Sequence, residues 1–231
     1  MSRAFGQALL DHHRGDRTDP LVQRDGMAHR EHPIESFYFG AFDGEWRESW
    51  LEGPLVDLGA GAGRDTLYFQ DRFETVAIEA SDPLVTLLEA RGVDDARHGD
   101  MFALSEQFAH DRFQSAMAVG TQLGLATSLA GLRAFLEGLA AVTTPTGTAV
   151  VDAYDATYDG VAEMLGYRDD ERPDMAFRTF WFEYGELVDP VLLFQLFSPN
   201  RRREAARGTP WSVAEIHRPD ESPYYLAALE K

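Results

Sequence analysis

Short apolar runs alternate with amphipathic stretches through the middle of the chain. Buried strands are predicted at 54–58, 75–78, 95–97, 114–119 and 148–152. Between them, apolar residues recur at the spacing of a helix face at 65–72, 82–91 and 128–143. Strand–helix alternation with short connections predicts right-handed crossovers, and therefore a doubly wound, mostly parallel α/β sheet.

The end of the chain predicts strands that lack long crossovers. Two β segments turn near Gly185 and form a predicted insertion at about 176–197. Two closing strands are predicted at 211–217 and 224–229. Because little chain separates the closing strands, we expect them to pair as an antiparallel hairpin at the edge of a seven-stranded sheet.

The first 50 residues precede this pattern. Ala4, Ala8 and Leu9 predict one face of a short helix, and aromatic residues cluster at 37–39. We therefore expect a helical cap at 1–50 that lies outside the sheet. The remaining residues, 51–231, form the predicted main domain.

Composition indicates an ordinary globular chain. It has 231 residues, 44% of them hydrophobic, and no cysteine, so disulfides and thiolate metal sites are excluded. No apolar stretch approaches the roughly 20 residues of a membrane-spanning helix. The first residues lack the apolar region of a secretory signal, so we expect a cytoplasmic protein.

The charge balance is strongly acidic. Asp and Glu number 39 against 21 basic residues, which gives a net charge of −18, and Lys231 is the only lysine. Such a surface repels nucleic acid and anionic membranes, so neither is an expected partner. The composition resembles that of halophilic archaeal proteins; an acidic protein from a GC-rich genome is the alternative.

A carboxylate and three glycines follow the first predicted strand. The strand ends at Asp57, and glycines stand at Gly59, Gly61 and Gly63. Glycine permits positive φ and lets a ligand approach the backbone, while the next helix presents free N–H groups. A dinucleotide fingerprint requires G-x-G-x-x-G/A, which fails here at Arg64 and Thr66. Asp57 would oppose a pyrophosphate but favour an ammonium group.

This segment resembles motif I of class I S-adenosylmethionine-dependent methyltransferases. The later positions follow that family's order: Glu79 matches the acid that holds the ribose, and Asp100-Met101 match the pair that flanks adenine. The resemblance implies a Rossmann-like methyltransferase fold with S-adenosyl-L-methionine as cofactor. The cofactor contacts that it implies are Asp57, Gly59, Ala60, Gly61, Gly63, Glu79, Ala80, Asp100, Met101 and Gly120.

The acceptor side varies among such enzymes. We expect it to form from the cap, from the loops after the fourth and fifth strands and from the insertion. Its candidate lining residues are Tyr38, Thr121, Gln122, Phe180, Trp181 and Tyr184. Asp152 and Tyr154 are candidates for a catalytic base or an orienting group, with a structural role as the alternative for each.

Three further motifs have competing interpretations. Arg24-Asp25-Gly26 and Tyr38-Phe39 match segments that precede motif I in small-molecule methyltransferases, where either cofactor contact or ordinary packing explains them. The paired histidines at 12–13 and at 29 and 32 lack a third ligand at a suitable spacing, so no metal site is predicted. The arginines at 201–203 are expected on a solvated helix face.

The resemblance implies a methyltransferase that acts on a small molecule and releases S-adenosyl-L-homocysteine. One alternative is a protein that binds S-adenosylmethionine without transferring its methyl group. Another is a methyltransferase acting on RNA or protein. The Asn/Asp-Pro-Pro-Tyr/Phe motif of enzymes that methylate base amino groups is absent after the fourth strand, which argues against DNA N-methylation.

The acid-rich composition predicts stabilisation by salt. Between roughly 0.1 M and 2 M KCl the Debye length falls from about 10 Å to below about 3 Å, which screens the self-repulsion of a chain with this charge. We expect the thermal unfolding midpoint to rise markedly over this range. Sorbitol at matched osmolality, which does not screen charge, is the control. A midpoint that does not change with KCl would contradict the halophilic interpretation.

Overall fold

The structure is a computed structural model that describes residues 3–231. The strands are β1 (Val22–Asp25), β2 (Ala28–Glu31), β3 (Leu55–Leu58), β4 (Thr75–Glu79), β5 (Ala96–His98), β6 (Phe113–Ala118), β7 (Thr143–Tyr154), β8 (Tyr167–Asp169), β9 (Met175–Tyr184), β10 (Leu187–Val188), β11 (Leu192–Phe197), β12 (Ser212–His217) and β13 (Tyr224–Glu230). The α-helices are α1 (Arg3–Arg14), α2 (Glu45–Glu48), α3 (Arg64–Gln70), α4 (Asp82–Ala90), α5 (Leu104–Gln107), α6 (Leu129–Val142) and α7 (Pro199–Ala206). Short 3₁₀ turns span Gln122–Ala126 and Val161–Glu163, and a π-helical turn spans Glu35–Phe39. Within the described residues, no helix is long and apolar enough to cross a membrane.

The main sheet has seven strands in the order β12-β13-β7-β6-β3-β4-β5. Strands β3 to β7 are parallel, and β13 pairs antiparallel with both β7 and β12. The predicted doubly wound sheet with its antiparallel closing hairpin is therefore confirmed.

Alternate residues of the central strands pack against different helices. On one face, Val56 and Leu58 of β3 join the cluster that contains α6; on the other, Leu55 packs with Phe69 of α3. Ser128 caps α6 by accepting a hydrogen bond from the Gly131 N–H. Helices therefore cover both faces of the sheet, and burying each large apolar side chain of α6 contributes about 1.5–3 kcal/mol.

Strand β7 begins earlier than the strand predicted at 148–152. Residues 145–147, which include Pro145 and Gly147, belong to β7. Phe113 of β6 pairs with Thr143 of β7, but Ser115 pairs with Thr148, so the extra residues of β7 form an irregularity in the ladder.

The N-terminal segment is only partly helical. Helix α1 is present as expected, but residues 22–31 form the hairpin β1–β2, which the sequence did not predict. Its two-residue turn begins at Gly26, whose φ is +57°. Strand β1 also pairs with β9, so the hairpin and the predicted insertion form a second, six-stranded sheet.

The arginine run also differs from expectation. Arg202 is fully buried rather than solvated. Its guanidinium donates to the carbonyl of Asp152 in β7 (2.9 Å) and to the hydroxyl of Tyr225 in β13 (3.1 Å). The run 201–203 is therefore not a continuous surface patch.

Helix α1 is fastened to the second sheet by a distant carboxylate. Asp189, which lies between β10 and β11, accepts hydrogen bonds from the backbone N–H groups of Arg3 (2.6 Å), Ala4 (2.7 Å) and Phe5 (3.1 Å). These are among the N–H groups that a helix leaves unsatisfied at its start. A side chain more than 180 residues away in sequence therefore fills the role of an N-cap.

Replacing this carboxylate is expected to destabilise the protein. Asp189→Ala leaves the first amides of α1 unpaired and should lower the free energy of unfolding by about 1–2 kcal/mol. Chemical denaturation measures the change, and Glu186→Ala, which removes an exposed acid nearby, is the control. If Asp189→Ala unfolds at the same denaturant concentration as wild type, the cap does not contribute to stability.

Candidate functional site

One cavity of about 720 Å³ opens at the carboxyl ends of β3 to β7. This size suits a small-molecule site, and the carboxyl edge of an open α/β sheet is where such folds bind ligands. One half is bordered by the loops that follow β3, β4 and β5, and the second sheet covers the other half. We call these the glycine-loop half and the roofed half.

The three glycines after β3 have different surroundings. All three have positive φ, from +59° to +76°. A Cβ added to Gly61 would meet only the Gly59 carbonyl oxygen, at 4.0 Å, so this glycine leaves its space to the cavity. A Cβ on Gly63 would lie 2.6 Å from Leu88, and Gly63 does not line the cavity. Gly63 stands at the N-cap of α3, where the absence of a side chain leaves room for Leu88 of α4, and its predicted contact with the cofactor stays a prediction.

Asp57 is a buried carboxylate at the end of β3. Its Oδ2 accepts a hydrogen bond from the Thr66 hydroxyl at 2.6 Å. Burial raises the pKa of Asp57 to about 7, against the lowering effect of Thr66, and the nearby charges of Asp65 and Glu79 raise it further. A cation bound beside Asp57 would favour its ionised form.

Glu79 joins the ends of β3 and β4. Its Oε2 accepts the N–H of Gly61 (3.1 Å), and its Oε1 accepts those of Ala80 (2.9 Å) and Ser81 (3.3 Å). Burial still raises the pKa of this carboxyl, although these bonds oppose the shift. A carboxylate has about four acceptor sites, so Glu79 can hold the loop and still receive a ligand hydroxyl.

The segment after β5 lies at the edge of the same half. Asp100 accepts the N–H of Phe102 at 2.9 Å, and Met101 is buried. Phe102 itself is 42% exposed and lines the cavity beside both residues. Phe102 was not among the residues predicted from the sequence, although its position directly after Asp100-Met101 indicates it.

Asp152 holds the loop after β6. It is fully buried, and its carboxylate accepts the N–H of Gly120 (2.7 Å) and of Thr121 (2.7 Å and 2.9 Å to the two oxygens). Thr121 has a φ of +64°, which is strained for a residue other than glycine and persists only where its surroundings enforce it. These contacts favour the orienting role of Asp152 over that of a free base.

The roofed half contains a tyrosine–histidine pair and a second tyrosine. The Tyr38 hydroxyl lies 2.8 Å from Nε2 of His32. Burial raises the pKa of Tyr38, whereas burial and the charges of Arg30 and Arg178 lower the pKa of His32 to about 4, so both side chains are neutral at pH 7. Tyr154 also lines this half, and its hydroxyl makes no hydrogen bond with a described residue.

Comparison with known proteins rests on structure alone. No protein-family model and no curated protein matches the chain. An S-adenosylmethionine-dependent methyltransferase from Bacteroides fragilis, solved with S-adenosyl-L-homocysteine, superposes with a TM-score of 0.80 and 20% identity over 99% of this chain and 94% of that chain. The chain has the Rossmann-like methyltransferase fold.

Two further methyltransferase structures share this fold over most of the chain. One is 1,6-didemethyltoxoflavin-N1-methyltransferase from Burkholderia thailandensis, with a TM-score of 0.53 and 17% identity over 77% of this chain and 70% of that chain. The other is an amino pentose methyltransferase from Micromonospora echinaspora, with a TM-score of 0.54 and 16% identity over 76% of this chain and 82% of that chain.

Strand β9 places the predicted lining residues of the roofed half on two different faces. Alternate residues of a strand face opposite sides, so Phe180 lines the cavity and Trp181 does not. The indole of Trp181 instead donates to Glu183 at 2.9 Å, and Tyr184 lies beyond the cavity with its hydroxyl 3.0 Å from Asp11. The cavity is also lined by five other candidates from the sequence: Tyr38, Thr121, Gln122, Asp152 and Tyr154.

Several lining residues were missed. They share the inner face of the second sheet or the N-terminal segment: Phe5, Gln23, Arg30, His32, Arg178, Phe182 and Phe194. Arg24 and Asp25 lie outside the cavity, where they form ion pairs with Glu183 and Arg168, so the interpretation as a polar turn fits them. The alternation of residues along 176–184 was a signal that could have identified Arg178 and Phe182.

Among residues 3–231, no three His, Asp or Glu side chains are arranged to hold a metal ion.

The raised pKa of Asp57 predicts that the stability of the ligand-free protein depends on pH. Its pKa is 3.8 ordinarily and about 7 in the fold, so the folded state binds the proton more tightly and loses stability as pH rises from about 4 to 7. Asp57→Asn should therefore raise the melting temperature, by more at about pH 8 than at about pH 5. Asp94→Asn, at an exposed position, is the control. An equal effect at both pH values would contradict the raised pKa.

Proposed function

We propose that the chain is a methyltransferase that uses S-adenosyl-L-methionine to methylate a small-molecule acceptor. One observation carries this proposal: a single cavity joins the glycine-loop half, with its acids, to the aromatic roofed half beneath the second sheet. The first part suits the cofactor, and the second suits an acceptor held beside it. The methyltransferase fold supports the assignment.

The glycine-loop half fits the cofactor in charge and in space. Gly61 leaves room at the loop, and the buried carboxylate of Asp57 gains a counter-ion from an amino group. We assign Glu79 to the ribose hydroxyls, and Asp100 with Met101 to the adenine. Phe102, which borders the same edge, offers an aromatic face to the base.

The chain's own residues would mainly orient the acceptor. When bound, the cofactor supplies an electrophilic methyl group on a sulfonium, so the difficult chemistry is its own. The protein holds the nucleophile in position and excludes water, and the geometry of the roofed half determines both. Tyr154 and the neutral Tyr38–His32 pair can hold an acceptor hydroxyl or amine by hydrogen bonds. His32, with a pKa of about 4, would retain a transferred proton only weakly.

A small acceptor fits better than RNA or protein. The second sheet covers the roofed half of the cavity. Arg202, at the centre of the only arginine run in the sequence, is buried, so this run does not offer a continuous cationic surface to RNA. Two methyltransferases of the same fold are named for small molecules, 1,6-didemethyltoxoflavin and an amino pentose. From composition we further expect the enzyme to work in the cytoplasm at high salt.

Cofactor binding is tested at Gly61. Gly61→Ala places a methyl group in the cavity at a φ that disfavours it, so affinity for S-adenosyl-L-homocysteine should fall at least tenfold, about 1.4 kcal/mol. Titration calorimetry measures it, with circular dichroism to confirm folding. Gly138→Ala, in α6 with open space around it, is the matched control. Unchanged affinity in Gly61→Ala, or tighter binding of NADH by wild type, would overturn the assignment.

A further inference from the structure

Arg178 is a buried cation on the roof of the cavity. It lies on β9, is 4% exposed, and lines the roofed half. Its Nε donates to the Leu165 carbonyl (2.7 Å) and its Nη2 to Oε1 of Gln23 (3.1 Å), while its guanidinium lies 4.7 Å from the centre of the Phe180 ring. Its Nη1 makes no hydrogen bond with a described residue, so one edge of the guanidinium keeps free N–H groups.

No carboxylate of the described chain compensates this charge. The ionisable groups that act on Arg178 are the Tyr154 phenol and Arg30, and burial lowers the pKa of the guanidinium. Among the acids that line the cavity, Asp152 accepts backbone N–H groups of the loop after β6, and Asp189 accepts those at the start of α1. A buried charge without a counter-ion is costly, so a permanent structural role explains Arg178 poorly.

The neighbours of Arg178 form a polar strip along the roof. Gln23 of β1 stands directly opposite Arg30 of β2, and both line the cavity with His32, two residues further along. His32 is 8% exposed, and its Nδ1 is buried without a hydrogen-bond partner. A second polar atom in this half thus lacks a partner within the described residues.

The rest of the roof is aromatic. Phe180 and Phe182 lie on the same face of β9 as Arg178, because the three residues alternate along the strand. Phe194 of β11 pairs across from Arg178, and all three rings line the cavity. The roof therefore offers an apolar wall with one cationic position.

We propose that the acceptor is a small aromatic or apolar carboxylic acid whose carboxylate binds the free edge of Arg178, with Arg30 assisting. The identity of this ligand as an acceptor rests on the proposed function. The remaining N–H groups of Nη1 and Nη2 form the parallel pair that a carboxylate accepts in bidentate fashion. A single negative charge matches the one buried cation that the described residues place on the roof, because Arg30 is exposed, whereas a phosphate dianion would bring a second charge that no buried cation there meets. The carboxylate would fix the acceptor from its far side, which positions the nucleophile.

The test compares matched acids and amides. Hydroxybenzoates and the corresponding hydroxybenzamides are titrated at millimolar concentration into wild type saturated with S-adenosyl-L-homocysteine, with phenyl phosphate as a third probe. Wild type should bind the acid about 10–100-fold more tightly than the amide. Arg178→Gln should abolish that preference while keeping its affinity for S-adenosyl-L-homocysteine. Arg168→Gln, on the adjacent strand but outside the cavity, should keep both.

Arg30→Gln provides a second variant on an exposed strand, in case Arg178→Gln does not fold, and it should reduce the preference by a smaller factor. Equal binding of acid and amide by wild type, no binding of either, or an unchanged preference in the Arg178 and Arg30 variants would overturn the carboxylate site. Tighter binding of phenyl phosphate would overturn it in favour of a phosphorylated acceptor. Failure of S-adenosyl-L-homocysteine to bind wild type would instead contradict the proposed function, because the acid and amide can also be compared without it.

Discussion

The roofed half of the cavity depends on one backbone pairing, that of β1 with β9. It joins Val22 to Glu183, Gln23 to Phe182 and Arg24 to Trp181, and so places the N-terminal hairpin beside a segment about 160 residues later. Without this ladder, β9 would have an open edge and the parallel sheet would end in an uncovered groove. The capping of α1 by Asp189 fastens the same two parts of the chain a second time.

The cavity that results is polarised along its length. Asp57 and Glu79 are buried at the glycine-loop end, and Arg178 is buried at the roofed end. Each charge is expensive to hold away from water, and hydrogen bonds to Thr66, to loop amides or to Gln23 offset only part of that cost. Buried charges of this kind are common at functional sites, where a bound ligand of opposite charge stabilises them. A cation at one end and a carboxylate at the other would satisfy both.

The position of the glycine-loop half at one edge of the sheet could be predicted from the sequence because its signals are local. Asp57, the glycines and Glu79 fall within one strand–helix–strand unit, where spacing alone fixes which residues reach the carboxyl edge of the sheet. The roofed half gave weaker signals. The hairpin β1–β2 carries Gln23, Arg24, His29 and Arg30, so it lacks the apolar alternation that marks a strand. Trp181 was chosen for its residue type, whereas the parity of its position along β9 turns it outward.

The sequence by itself determined the parallel sheet, the order of its elements and the acid-and-glycine loop, because hydrophobic period and backbone freedom are properties of neighbouring residues. Only the tertiary structure decided which charges are buried and what they face. Arg178 and Arg202 cannot be told from the other 18 arginines in the sequence, yet the first lines the cavity and the second supports the end of β7. Burial and pairing arise from contacts between segments far apart in the chain, and local spacing carries no record of them.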